Sequence, residues 1–573
     1  MAFIRKRRAW LIGLGLSTAL WICLFFFADI HFAANDDQFL LRTFAGGSPM
    51  GAPTFHLYIH AMYAFPLSWL SRLFPGVAWV TILEIFLQWL STATICKSVV
   101  ECFERRCRLA HATALGAFFA LCFVLLLQLF ISARITYTTV AASLGAACVA
   151  QCLSVDCERA DGGAIVRGML FSLLMLVLCY GLRQMVALPA LAFCGVAFLY
   201  RMITCFGKAS GRSARPMWIT LTAVAVGLGG LAAAREAEIT ARGQRDYLDW
   251  QQARISVLDY VELPGLSEDA RRALGWSDAQ VELLSNWYTM EETISTERFR
   301  WIRQTQWNED TRTTPGAAVL DFRTRSPLSM RALLVLFGLG ALCVLGLALR
   351  RRGLWTFVAL MVTAMGCALL LAYLALQGRL PDRAVQVPVL PAAALVFCLL
   401  PECLPSRKAY TACVCALLAA GTLACAVPTA RQVRYVPPKW DYNTHAAMDE
   451  IALAHPDLLL IYSNELVNDM RIFPDFSAGI PTNLMFWGGW QRGSPEYRSK
   501  MEAFGLDSEH FTPADWLNPS LRYLTLQSEP HPTLVAHLRE TLGDALTWEQ
   551  TKMDEALYAY RFYMAEEYET WQR

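Results

Sequence analysis

The chain has 573 residues, 55% of them hydrophobic and 17% charged, with a mean hydropathy of +0.35. That length would ordinarily mean several soluble domains, but the composition excludes a string of globular modules and places the chain in a bilayer. Fifty basic residues against 48 acidic ones give a formal charge of +2, so bulk charge points to neither nucleic-acid binding nor an acidic tail.

The distribution of charge along the chain is more informative. Residues 235 to 326 hold 16 of the carboxylates and residues 429 to 573 hold 21, leaving 11 for the other 336 residues. Those 336 residues also carry 26 Lys and Arg, in short clusters between apolar runs of about the 20 residues that a helix needs to cross a hydrocarbon core. The pattern predicts a polytopic α-helical membrane protein with two water-exposed parts.

In chain order, Arg5-Lys6-Arg7-Arg8 precedes a first apolar run, Trp10 to Ala28, read as an uncleaved helix. Further runs lie near 77–99, 109–131, 136–154, 164–181, 185–203, 217–234, 328–349, 354–376, 389–405 and 409–428, which makes eleven spans. The division is then a seven-span module (1–234) with an outer loop (29–76), an exposed helical region (235–326), a four-span module (327–428) and a C-terminal α/β domain (429–573). With the N-terminus in the cytoplasm, 19 of the 26 basic residues of the membrane region fall on the cytoplasmic side, Arg105, Arg106, Arg350 and Lys408 among them. Both exposed regions then face the other side, N-in and C-out. All 18 cysteines fall in spans or cytoplasmic loops, so no disulfide framework is expected.

Segment 56–73 is apolar enough to resemble a span but contains His56, His60, Pro66 and Arg72. It is read as an amphipathic helix lying on the outer interface, with Tyr63 and Trp69 at headgroup level. In the C-terminal region, Thr444 to Ala454 and Leu534 to Leu542 read as helices, Leu458 to Tyr462 as an apolar run, Leu521 to Leu526 as a short run and Ala556 to Tyr563 as strand-like. Gly488-Gly489 between two tryptophans suits a structural turn, or else a frame for a sugar or peptide. Neither exposed region carries a phosphate-binding glycine loop, paired metal ligands or a nucleophile elbow.

The strongest chemical candidate is Asn35-Asp36-Asp37, which follows closely on the first span in an otherwise acid-poor stretch. One carboxylate at the membrane surface can deprotonate an acceptor while it attacks a lipid-linked donor, and its neighbour can orient it or bind a divalent cation. The bland reading of the pair is a solvated helix cap or turn.

The acidic pair, the stretch Gly46-Gly47-Ser48-Pro49, the segment Pro66-Leu67-Ser68-Trp69-Leu70 and a second span starting after Pro75-Gly76 resemble the opening of type C membrane glycosyltransferases. Protein O-mannosyltransferases and the aminoarabinose transferase of lipid A belong to that superfamily. The resemblance covers about residues 10 to 100 together with the layout of many spans and exterior domains. It implies that Asp36 is the catalytic base and Asp37 its partner, and that the donor is a sugar on a polyprenyl phosphate. The chain departs from the family in having Asp-Asp for Asp-Glu. It also has Ala64-Phe65-Pro66-Leu67 where the family has Lys-Pro-Pro-Leu, so His56 or His60 is the substitute for the missing lysine.

A polyprenyl phosphate leaving group needs positive charge at the outer face. Arg134, Arg183, Arg379 and Arg383 are the candidates, with the alternative that each anchors a helix end to lipid headgroups. Glu84 is an acid about two turns into the second span, expected to pair with an outer arginine or to be neutral and hydrogen-bonded. The expected activity is transfer of a sugar from a polyprenyl-phosphate donor to a cell-envelope glycan, lipid or protein at the cell membrane. A non-catalytic envelope scaffold and a lipid or solute transporter are the alternatives.

Overall fold

The computed structural model describes residues 2–107, 111–157, 161–206, 215–261, 263–305, 314–350, 353–378, 380–405, 407–435, 443–466 and 471–565. The protein is mostly helical and membrane-embedded. Among the described residues, eleven helices are long and apolar enough to cross a membrane: Arg7–Phe27, Trp79–Arg106, Ala112–Ala133, Tyr137–Ser154, Gly162–Leu182, Gln184–Cys205, Arg215–Ala241, Pro327–Arg350, Leu354–Leu376, Asp382–Cys403 and Lys408–Val433.

The fourth span is the axis of the bundle, buried along its whole length. Its sequence, YTTVAASLGAACVAQCLS, is built from small residues, so neighbours can approach it from every side. The second, fifth, sixth and tenth spans do so. A Cβ on Gly145 would stand 2.6 Å from Cβ of Ala190, which shows how near the sixth span comes. The tenth span is also largely buried and keeps its helix through Pro388, Pro391 and Pro401. Its helix begins at Asp382, seven residues before the apolar run starts.

The third span contains a π-helical turn, Val124–Gln128. The turn's last residue, Gln128, accepts from Nε2 of Gln88 at 2.5 Å and from Thr92 at 3.0 Å. Glu84, Gln88 and Thr92 are four residues apart, so they form one polar seam along the second span.

Charge is closed off at the bundle end away from the soluble regions. Glu101 lies 2.9 Å from Lys97 and 3.2 Å from Arg105. Glu402 lies 2.9 Å from Arg106, accepts from Thr356 at 2.8 Å and is hydrogen-bonded by Tyr200. All eighteen cysteines are free thiols.

At the opposite end, the short strand β1 (His31–Phe32) runs parallel to β2 (Arg134–Ile135), tying the exit of the first span to that of the third. The acidic pair is not in a loop but in the first turn of a helix, Asn35–Ala45. The interfacial helix is shorter than expected, Ala61–Leu73, with His60 as its N-cap. Trp69 is exposed, whereas Tyr63 turns inward and donates to Leu178 O at 3.2 Å.

The helical region packs Arg245–Leu258, Asp278–Ser285 and Thr296–Thr305 around Val257, Leu284, Phe299 and Ile302. The C-terminal region forms a five-stranded sheet from β3 (Leu459–Tyr462), β4 (Leu484–Phe486), β5 (Leu521–Thr525), β6 (Leu546–Lys552) and β7 (Tyr558–Met564), in the order β4-β3-β5-β7-β6. The first three strands are mutually parallel, and β7 and β6 add antiparallel. β3 is apolar throughout because it lies between two neighbours and is covered on both faces.

The Gly488-Gly489 turn joins the two soluble regions, since Tyr288 and Gly488 form a β-bridge. A Cβ on Gly488, whose φ is 149°, would be 2.4 Å from Oγ1 of Thr289, so only glycine fits this contact. Beside it, buried Glu291 accepts from Tyr288 at 2.9 Å and from Gln280 at 3.1 Å, and lies 2.6 Å from Nε2 of His537.

Candidate active site

The helix Asn35–Ala45 belongs to two cores at once. Leu40, Leu41 and Phe44 pack into the membrane core, whereas Phe39 packs against Phe486 and Trp490 of the C-terminal domain. Arg42 grips Asp449 through two hydrogen bonds, 2.5 and 3.0 Å. The two acids in its first turn are therefore held from both sides.

Their surroundings differ. Asp37 is fully buried and its Oδ1 accepts the Tyr137 N–H at 2.7 Å, so it caps the fourth span. Its Oδ2 has no partner. Burial, opposed by the Tyr137 hydrogen bond and reinforced by Asp36, pushes its carboxyl up to about 8. At neutral pH Asp37 is mainly the neutral acid. Asp36 remains one-fifth exposed and pairs with Arg383 across 3.3 Å. Of the two, only Asp36 combines solvent access with a cation.

Next to this pair is a cavity of about 670 Å³. Its wall comes from the β1 segment, the end of the third span, the start of the fourth, the residues before the eighth and the first turn of the tenth, with Asn464 from the C-terminal domain. His31, Arg134, Arg325 and Arg383 supply its basic groups. Thr136 and Thr139, which cap the fourth span reciprocally, also line it, so the positive end of that helix is directed here.

The other expected residues fall as follows. Arg134 lines the cavity and donates to the carbonyl oxygens of Asp29 and Ala133, the latter at 3.2 Å. Arg183 lies over the rings of Tyr137 and Tyr58, at 4.8 and 5.8 Å, and donates to Thr138 at 2.5 Å. It influences Asp37 and Tyr58 electrostatically but is not part of the cavity wall. Arg379 lies outside the described residues.

Three expectations need correction. His56 is buried against Phe44, Tyr58 and Trp490, and burial, reinforced by Arg235, pulls its imidazole down to about 3. A ring held neutral cannot stand in for a lysine. His60 has both nitrogens engaged: Nδ1 accepts from the Met62 N–H at 3.2 Å, and Nε2 meets Leu231 O at 3.1 Å. Glu84 pairs with no arginine among the described residues. It is buried behind Asp37, and neither of its oxygens has a hydrogen-bond partner.

Comparison of the chain with protein-family models, with curated proteins and with solved structures found no match. The function is therefore argued from the site itself. Among the described residues, no group of three or more His, Cys, Asp or Glu is placed to hold a metal ion.

Sequence reasoning missed Arg325, Asp382 and Gln386, all of which line the cavity. Asp382 and Gln386 are four residues apart and face the same way, a signal that was present but hidden by reading this stretch as a loop. Arg325 ends the helix Pro315–Arg325, just before the eighth span, and nothing in the local sequence singles it out.

Proposed function

We propose that the chain is a membrane glycosyltransferase of the type C kind, moving a sugar from a polyprenyl-phosphate donor to a cell-envelope acceptor on the outer face. The observation that carries this reading is that Asp36, itself outside the cavity wall, pairs with Arg383, which lines a cavity whose other basic groups are His31 of the β1 segment, Arg134 at the end of the third span and Arg325 just before the eighth. Orientation follows from charge. Arg7, Arg8, Arg105, Arg350 and Lys408 gather at the end opposite the soluble regions, and the positive-inside rule supports a cytoplasmic placement of that end.

In this mechanism the donor phosphate enters among Arg134, Arg325 and Arg383 and draws the Arg383 guanidinium away from Asp36. The freed carboxylate takes the proton of the acceptor hydroxyl as its oxygen attacks the anomeric carbon. The bond from that carbon to the phosphate oxygen breaks, its electron pair leaves on the phosphate, and the guanidinium groups stabilise the developing charge. Attack opposite the leaving group inverts the anomeric centre. Asp37, neutral and capping the fourth span, positions Asp36 and does not act as the base.

The test combines two measurements on purified protein. Native mass spectrometry is expected to find a polyprenyl phosphate or phosphosugar retained by the wild type and lost from an Arg134→Ala, Arg383→Ala variant. Asp36→Asn is expected to keep that lipid while transfer falls by at least about a hundredfold. Bulk phospholipids alone on both proteins, or undiminished transfer by Asp36→Asn, would overturn the reading.

A further inference from the structure

The cavity is two-sided. Its cations are accompanied, on the first turn of the tenth span, by Asp382 and Gln386. Residues at i and i+4 share a helix face, and Asp382 is hydrogen-bonded to Gln386 as well as to Ser329, so the two side chains form one polar row. Each has an oxygen that is buried and without a partner, Oδ1 of Asp382 and Oε1 of Gln386. Gln386 is only 5% exposed, and its amide nitrogen is turned to Ser329 at 3.4 Å. Leaving such acceptors unsatisfied is costly, and a ligand that enters the cavity with hydrogen-bond donors relieves that cost.

An anion does not suit this row, because a carboxylate repels a phosphate that Arg383, one residue along, attracts. Lys, Arg or His as the donor is not needed either, since no further ion pair is required beside the cavity's own basic groups. A neutral, hydroxyl-rich group next to a phosphate meets both requirements. We infer that Asp382 and Gln386 form the subsite for the sugar hydroxyls of a glycosyl phosphate whose phosphate lies among Arg134, Arg325 and Arg383. This inference rests on the transferase reading and gives it a residue-level specificity site.

The test measures binding of three probes to the full chain in nanodiscs: farnesyl phosphate, a panel of farnesyl-phosphate glycosides of hexoses and pentoses, and phosphatidylglycerol as a hydroxyl-bearing bulk lipid. The wild type is expected to bind at least one glycoside roughly tenfold or more tighter than farnesyl phosphate, the size of a charged hydrogen bond. Asp382→Asn and Gln386→Leu are each expected to remove most of that advantage and to leave farnesyl phosphate binding unchanged, which also shows that the variants are folded. If Gln386→Leu cannot be purified, Asp382→Asn alone decides. Equal weakening of glycoside and bare phosphate, or no weakening of either, overturns the subsite while the lipid-phosphate site stands. A dependence seen only with phosphatidylglycerol assigns the row to a membrane headgroup and overturns it as well. Absence of farnesyl phosphate binding in the wild type overturns the transferase reading and this inference together.

Discussion

The two ends of the membrane bundle use the same kinds of residue in opposite ways. At the end away from the soluble domains, the carboxylates are each met by cations, Glu101 by Lys97 and Arg105 although its Oε1 has no hydrogen-bond partner, and the quarter-exposed Glu402 by Arg106 with Tyr200 and Thr356 adding hydrogen bonds. At the soluble end, Glu84 has no partner for either oxygen, Asp37 none for one, and Asp382 and Gln386 each keep an open acceptor beside a cavity. A carboxylate met by cations holds helices together. An open one is a cost to the fold, and such costs collect where a ligand is bound.

The largest effect that tests this contrast is expected at the closed end. Glu402→Ala removes the counter-charge of buried Arg106 and the acceptor of Tyr200 and Thr356, at three neighbouring helices. Breaking a buried pair from one side costs about 3–5 kcal/mol. A thermal melt of the purified variant is expected to fall sharply, with lipid retention per folded molecule unchanged. A melt that matches the wild type would mean that the closed end is no staple.

A smaller effect, about 2 kcal/mol, is expected from Arg42→Ala, because the Arg42–Asp449 pair is partly exposed and lies between two domains. Lys500 is close to this pair, and burial together with Arg42 pulls its ammonium down to about 7. Removing Arg42 leaves Lys500 as the cation nearest Asp449. Hydrogen exchange over Asn35–Ala45 reads the outcome directly. Faster exchange there, relieved in the Arg42→Ala, Asp449→Asn double variant, shows that the pair steadies the acid-bearing helix; unchanged exchange shows that Phe39 packing suffices.

This helix also shows what the sequence could and could not convey. The eleven spans were legible because each is an apolar run near the length of a bilayer core, and the boundary moved furthest where polar residues continue the helix, as at Asp382. The acidic pair stood out because acids are scarce around it. Its division of labour was not legible, because Asp37 is fixed by a backbone N–H 100 residues away and Asp36 by an arginine 347 residues away. His56 and His60 were chosen for their chemistry, yet burial and capping decide what those rings do, and neither can be read from spacing. Asp382 and Gln386 carried the right periodicity, but only the cavity gives it meaning.

The finest test separates the two aspartates. The Asp37 carboxyl is raised from 3.8 to about 8 by burial, so between these values the folded protein holds a proton that the unfolded chain has lost. Stability contributed by that proton is complete below about pH 4, falls as pH rises through the window and levels off above about 8, with a slope of at most about 1.4 kcal/mol per pH unit. Asp37→Asn keeps a carbonyl oxygen to accept the Tyr137 N–H but cannot ionise. Its melting temperature is expected to track the wild type below about pH 4 and to exceed it increasingly toward pH 8. Asp36→Asn is expected to show no such crossing, because its carboxyl is partly exposed and paired with Arg383. Parallel pH profiles for wild type and Asp37→Asn would show that Asp37 is ionised in the fold, and the assignment of Asp36 alone as the base would then lose its electrostatic support.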